Sequence, residues 1–337
     1  MRIALVVAVA AALIVPATAH AAPLAVEDLG TLPGDLRSTA ADINDSGTIA
    51  GVSYGSGTTQ HAVRWDRFDG IRKLADLGAD TWAGAINGNN VVVGYAITSA
   101  GRAQAVKWNP SGALVQLAVP GATSSVAYDV NDGNVVTGTA TINGVAQAVL
   151  WDSLGEATVL GAGSGRHVTG ANWVVGTSGS DVVRWNASGV RTVLDSGVLL
   201  GANQLGDAVG TVGSTGVQWP RSGARTVLGA GARPFDLTDN GWTVGEVSSQ
   251  AYRWDTVSGT GAPLAAAPSS AVRVNNSGVV AGTVGTSAAT WDMAGTQTLL
   301  PGLSGAMRHN VSGLSEVGQV IGVANFSNGT TRAVVWR

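Results

Sequence analysis

The stretch DINDSGTIAGVSYGSGTTQHAVRWDRFDGIRKLADLG, residues 42–78, holds one full unit of the chain's architecture. An apolar residue, the polar turn Asn44-Asp45-Ser46-Gly47 and an apolar run ending at Gly51 describe a hairpin. An alternating run closes on Trp65, and a fourth run follows a turn rich in Asp and Gly. The pattern predicts four short antiparallel strands.

The tryptophan returns at Trp108, Trp151, Trp185, Trp219, Trp254, Trp291 and Trp336, at intervals of 34 to 45 residues. Each of the eight tryptophans follows a short alternating run such as QAVKW or RAVVW, and a polar turn with an apolar run ending in Gly lies upstream. Four-stranded units at this period are the mark of a β-propeller, in which radial closure protects strand edges. The fold class is therefore all-β, an eight-bladed propeller of four-stranded blades. The last copy stops at its third strand, while PLAVEDLG at residues 23–30 matches the fourth strand IRKLADLG. The N-terminal strand is expected to complete the last blade and clasp the ring.

The blades are predicted at residues 35–78, 79–121, 122–164, 165–197, 198–231, 232–267, 268–303 and 304–337, the last joined by 22–34. All belong to one domain, 22–337. Arg2, the apolar run Ile3 to Val15 and the Ala19-His20-Ala21 pattern read as a signal peptide, residues 1–21, cleaved after Ala21. The protein is expected to be secreted and extracellular, with no membrane attachment after cleavage.

Charged residues make up 12% of the chain, Gly numbers 48, Cys is absent and the net charge is −3. Disulfides, thiolate metal sites and cysteine nucleophiles are excluded, and no basic field exists to hold nucleic acid. No cofactor is expected. Copies of the form INxxGxxxG…HAxxW…DLG, clearest at Ile43–Gly51, His61–Trp65 and Asp76–Gly78, resemble the HAF-type repeats of bacterial extracellular proteins. That resemblance implies a bacterial, extracellular origin and assigns no reaction.

The Asp42–Gly47 turn mimics the opening of a calcium loop, yet Ser53 stands where the closing Glu would be needed. It reads as an architectural turn, and no metal is expected. No GxSxG, HExxH or phosphate loop occurs.

Departures between copies are where a binding face belongs. From hairpin Gly to Trp the copies run 14, 14, 13, 9, 9, 9, 9 and 14 residues, so tall hairpins gather on blades 8, 1, 2 and 3. The residue five before the turn Asn opens each innermost strand at the channel mouth. It reads Thr39, Trp82, Val126, His167, Val198, Arg233, Ser270 and Asn310, taking the fourth copy to lack three turn residues. With Arg37, Arg166, Arg308 and His309 nearby, the candidate binding face is Arg37, Trp82, Arg166, His167, Arg233, Arg308, His309 and Asn310. The leading expectation is a monomeric, non-catalytic binding or scaffold protein taking an extracellular glycan, peptide or surface protein. The alternative is a secreted hydrolase or lyase, with His167 or His309 as general base and arginines holding an anionic substrate.

Overall fold

A computed structural model describes residues 24–337; the expected leader, residues 1–21, lies outside them. The polar turn after each first strand sets the frame. In blade 1, Asn44 Oδ1 accepts from the amide of Thr48, and the turn sends the chain from strand Arg37–Ile43 into strand Ile49–Tyr54. Strands Gln60–Asp66 and Gly70–Lys73 complete the sheet in sequence order. The chain forms eight such four-stranded antiparallel sheets, and no helix occurs among the described residues. Except between blades 4 and 5, first strands of neighbouring blades pack together around the ring, and they line the central channel. The fold is an eight-bladed β-propeller.

Blade 8 holds strands Ala306–Leu314, Val320–Phe326 and Thr331–Trp336, and Val26–Asp28 pairs with the last of these. Ala25 and Arg337 exchange both backbone hydrogen bonds, at 3.0 and 3.1 Å, and Leu29 adds another to Ala333. The ring is closed through a strand from the other end of the chain.

Recurrent residues join blade to blade. The indoles of Trp108, Trp151, Trp254 and Trp336 are buried and donate to carbonyls of Ala75, Ala118, Leu228 and Pro301 in the preceding blade. Buried rings of this size supply much of the apolar burial between sheets. The hairpin glycine beneath each tryptophan has a steric cause. A Cβ on Gly51, Gly138, Gly210 or Gly322 would fall on the carbonyl oxygen of Thr39, Val126, Val198 or Asn310 in the paired first strand. The turn asparagines form a third link. Asn44, Asn87 and Asn131 each donate Nδ2 to the turn carbonyl of the next blade, Asn87, Asn131 and Thr169, at 2.8 Å.

The second and third strands of blades 8, 1, 2 and 3 have six or seven residues, against five in blades 4, 5 and 7. Their hairpins stand at the mouth where the first strands begin.

Candidate functional site

Every first strand carries a β-bulge at the third residue before its turn, at Ala41, Gly84, Tyr128, Arg166, Leu200, Phe235, Val272 and Ser312. A bulge sets two residues against one on the partner strand and re-aims the side chains that follow. Consecutive residues therefore reach the channel: Tyr128 with Asp129, Arg166 with His167 and Phe235 with Asp236 all line a cavity of about 1090 Å³.

Two layers result. The bulge layer is lopsided, with large side chains on blades 3 to 6 and small ones on most of the other half. Arg166 lies over the Tyr128 ring at 4.4 Å. The layer beneath reads Asp42, Ala85, Asp129, His167, Gly201, Asp236, Arg273 and Gly313. Its carboxylates staple the ring. Asp42 accepts from the amides of Ile43 and Ile86 at 2.9 Å, and Asp129 from Val130 and Val168 at 2.9 and 2.8 Å. Asp236 accepts from Val274 at 2.9 Å. Burial pushes the Asp42 carboxyl up to about 6 against those amides, and burial likewise raises Asp236, with Arg273 opposing.

His167 Nδ1 stands 2.7 Å from Asp129 Oδ2, and Nε2 stands 3.2 Å from the Asn203 carbonyl oxygen. Both neighbours are acceptors, an arrangement that favours the doubly protonated ring. Burial alone would lower its pKa, but the Asp129 charge and hydrogen bond outweigh it and raise it. Asp129 is correspondingly held below its ordinary value, its own burial outweighed by His167 and the backbone amides. His167 bridges three blades, with each ring nitrogen facing an acceptor of a neighbouring blade.

The fourth copy requires a correction. Its turn keeps full length, with Thr169 in the place of Asn: the Thr169 amide bonds to the Trp173 carbonyl as Asn131 bonds to Val135. The residue five before it is Ser164, and a Cβ on Gly176 would land on the Ser164 carbonyl. His167 therefore lies three residues deeper than the mouth, in the charged layer.

His309 is also placed away from the channel. It is buried, its Nε2 accepts from the Leu303 amide at 3.0 Å, and its ring meets Trp336 edge-on. Burial lowers its pKa. Arg37 lies over Tyr54 at 5.4 Å, and Trp82 stacks on Tyr95 at 5.8 Å. Trp82 lies along its strand above Gly84, where a Cβ would strike the indole. Arg233 pairs with Glu246 at 2.8 Å and covers Phe235, while Arg308 and Asn310 are exposed at the tall blade 8. Of the eight residues expected at one face, only Arg166 and His167 line the cavity; Arg37 and Trp82 build a separate aromatic group at the mouth.

The channel residues Tyr128, Leu200, Phe235 and Arg273 were not singled out by sequence reasoning. A bulge leaves no residue signature, but the column two before the turn was readable as a run of unlike charges once the fourth copy is in register. No group of three or more His, Asp or Glu side chains suited to a metal occurs among the described residues.

No family model and no curated protein matches the chain. Among solved structures it is similar to virginiamycin B lyase from Staphylococcus aureus. A catalytically inactive form with quinupristin gives 12% identity over 93% of this chain and 99% of that one, at a TM-score of 0.51. The selenomethionine form gives a TM-score of 0.52 at the same identity and coverage. A gluconolactonase from Xanthomonas campestris gives 11% identity, 93% and 89% coverage and a TM-score of 0.38. At these identities the likeness concerns the fold alone, and the fold hosts unrelated activities.

Proposed function

We propose that the protein is an exported, non-catalytic binding propeller, of HAF-type repeat character, whose mouth takes an extracellular glycan. One observation carries this reading: half-buried aromatic rings stand together at the tall half of the mouth. Trp82 is stacked on Tyr95, and Tyr54 lies under Arg37 with its hydroxyl 3.4 Å from Thr39 Oγ1. Aromatic faces with polar edges suit the apolar faces and hydroxyls of sugar rings. Arg308 and Asn310 extend the surface on blade 8.

The hydrolase or lyase reading loses its reagents. His167 lies within reach of a carboxylate in the channel, as a base requires, but each of its ring nitrogens faces an acceptor of the fold, Asp129 Oδ2 or the Asn203 carbonyl oxygen. His309 is enclosed against Trp336 and Leu303.

The test is binding of the mature protein to a panel of cell-wall and exopolysaccharide oligomers, with Trp82→Ala and Arg308→Ala beside wild type. Loss of the stacking ring is expected to weaken glycan binding by about tenfold or more. Undiminished binding by both variants overturns the mouth as the site.

A further inference from the structure

The channel beneath the mouth has a chemistry of its own. Its cavity of about 1090 Å³ is walled by bulge residues Tyr128, Arg166, Leu200 and Phe235 on four successive blades, above Arg273 on the floor. Hydrogen-bonding capacity there is divided unevenly. The carboxylates of the lining are occupied by the fold: Asp42 and Asp129 each accept from two backbone amides and Asp129 also faces His167, while Asp236, Asp45, Asp132 and Glu316 accept from the amides of Val274, Glu316, Gly88 and Asn276. The cations are not. Arg273 makes one hydrogen bond, from Nη1 to the Val272 carbonyl at 3.0 Å. Arg166 is exposed and meets only the face of Tyr128. Neither has a carboxylate within salt-bridge distance among the described residues. The unspent groups of the cavity are guanidinium donors beside apolar rings.

We infer that the channel is a second binding site, for a small organic anion consisting of a flat apolar ring bearing one carboxylate. The ring packs among Tyr128, Leu200 and Phe235. The carboxylate takes the forked donors of Arg166, the geometry in which arginine binds carboxylates best, with the Arg273 cation adding attraction from the layer beneath. A volume of this order holds a ligand of drug-like size. The small bulge residues on the opposite half, Ala41, Gly84 and Ser312, leave the room that the large ones fill. This site is independent of glycan binding at the mouth, since Trp82 and Tyr54 are not among its lining residues.

The experiment is calorimetry and saturation-transfer NMR on the mature protein with 3-phenylpropionate and its primary amide, for wild type, Arg166→Gln, Arg273→Gln, Leu200→Trp and Trp82→Ala. The acid is expected to bind, with the amide and each Arg→Gln variant weaker by about tenfold. Leu200→Trp, which puts an indole where the ligand ring would pack beside Tyr128 and Phe235, weakens binding, and Trp82→Ala leaves it unchanged. If Arg273→Gln does not fold, exposed Arg166 keeps the test decisive. The inference is overturned by equal binding of acid and amide, by binding indifferent to Arg166→Gln, or by no binding at millimolar ligand. Glycan binding that survives any of these outcomes leaves the mouth reading standing, and its loss in Trp82→Ala alone separates the two sites.

Discussion

His167 is the residue whose meaning changes most between sequence and structure. In sequence it is an isolated histidine beside an arginine; in the fold it stands between the Asp129 carboxylate and the Asn203 carbonyl oxygen. Its raised pKa means that it contributes stability fully below its ordinary value of 6.5, lost as pH rises through the folded value. Asp129, lowered, contributes above its ordinary 3.8 and loses that contribution as pH falls through its folded value. Asp42 acts in the opposite sense to Asp129. With its carboxyl raised to about 6 from 3.8, its ionisation in the fold costs stability as pH climbs through that range. Burial raises Asp236 in the same direction. Together these groups place the stability optimum on the acid side of neutrality. Urea midpoints are expected to be higher at about pH 5 than at about pH 8. His167→Gln should cost roughly 2 kcal/mol at the lower pH, discounted for partial exposure of the pair, and flatten the decline. An equal decline in variant and wild type would remove His167 from the account. None of this was legible from the residue alone, because one threonine in place of a turn asparagine concealed the register that puts His167 in the charged layer.

At the scale of the strand and turn, the repeated letters that look alike in sequence do different work. The tryptophans and the hairpin glycines were legible as period and punctuation, since both recur at fixed places in every copy. What they do came only with the fold: the glycine clears the carbonyl of the neighbouring strand, and the indoles of Trp108, Trp151, Trp254 and Trp336 reach back one blade, while those of Trp65, Trp185 and Trp291 are buried without a partner among the described residues. The turn asparagine, which reads as a local turn former, is also a cross-blade donor. Asn131 caps its own turn at Val135 and donates to the Thr169 carbonyl and to Asn172 Oδ1, both at 2.8 Å. Asn131→Ala leaves the buried Thr169 carbonyl and the Val135 amide without these partners. A loss of roughly 2 kcal/mol is expected from two such bonds. Gly210→Ala should cost more, about 3 kcal/mol or above, because the added methyl is directed at the Val198 backbone and no side chain can yield. Thermal unfolding of both variants checks the order. A Gly210→Ala transition at or above that of Asn131→Ala contradicts the steric argument.

Across the whole molecule, the strand Val26–Asp28 does what disulfides do in small secreted folds: it ties distant parts of the chain together, here in one sheet. The chain has no cysteine, so ring closure rests on Val26–Asp28 against Thr331–Trp336 and on Arg337 with Glu27 at 2.6 Å. This closure was legible because the missing fourth strand of the last copy reappeared at the start as EDLG. Removing residues 22–28 exposes the outer edge of strand Thr331–Trp336, a row of unpaired amides and carbonyls beside a buried tryptophan. Exposed edges of that kind recruit further strands. The truncated protein is therefore expected to show a lower unfolding temperature and a concentration-dependent shift to larger species in light scattering. A synthetic peptide of residues 22–30 added in excess should reverse the shift by refilling the edge, as a ligand that binds only the folded state raises its stability. If the truncated chain stays monomeric with an unchanged transition, the first and last blades hold each other through their faces. The contacts of Ser38 and Ser312 across that seam, with Ala333 and Ala40 at 2.9 Å, would then close the ring without the strand.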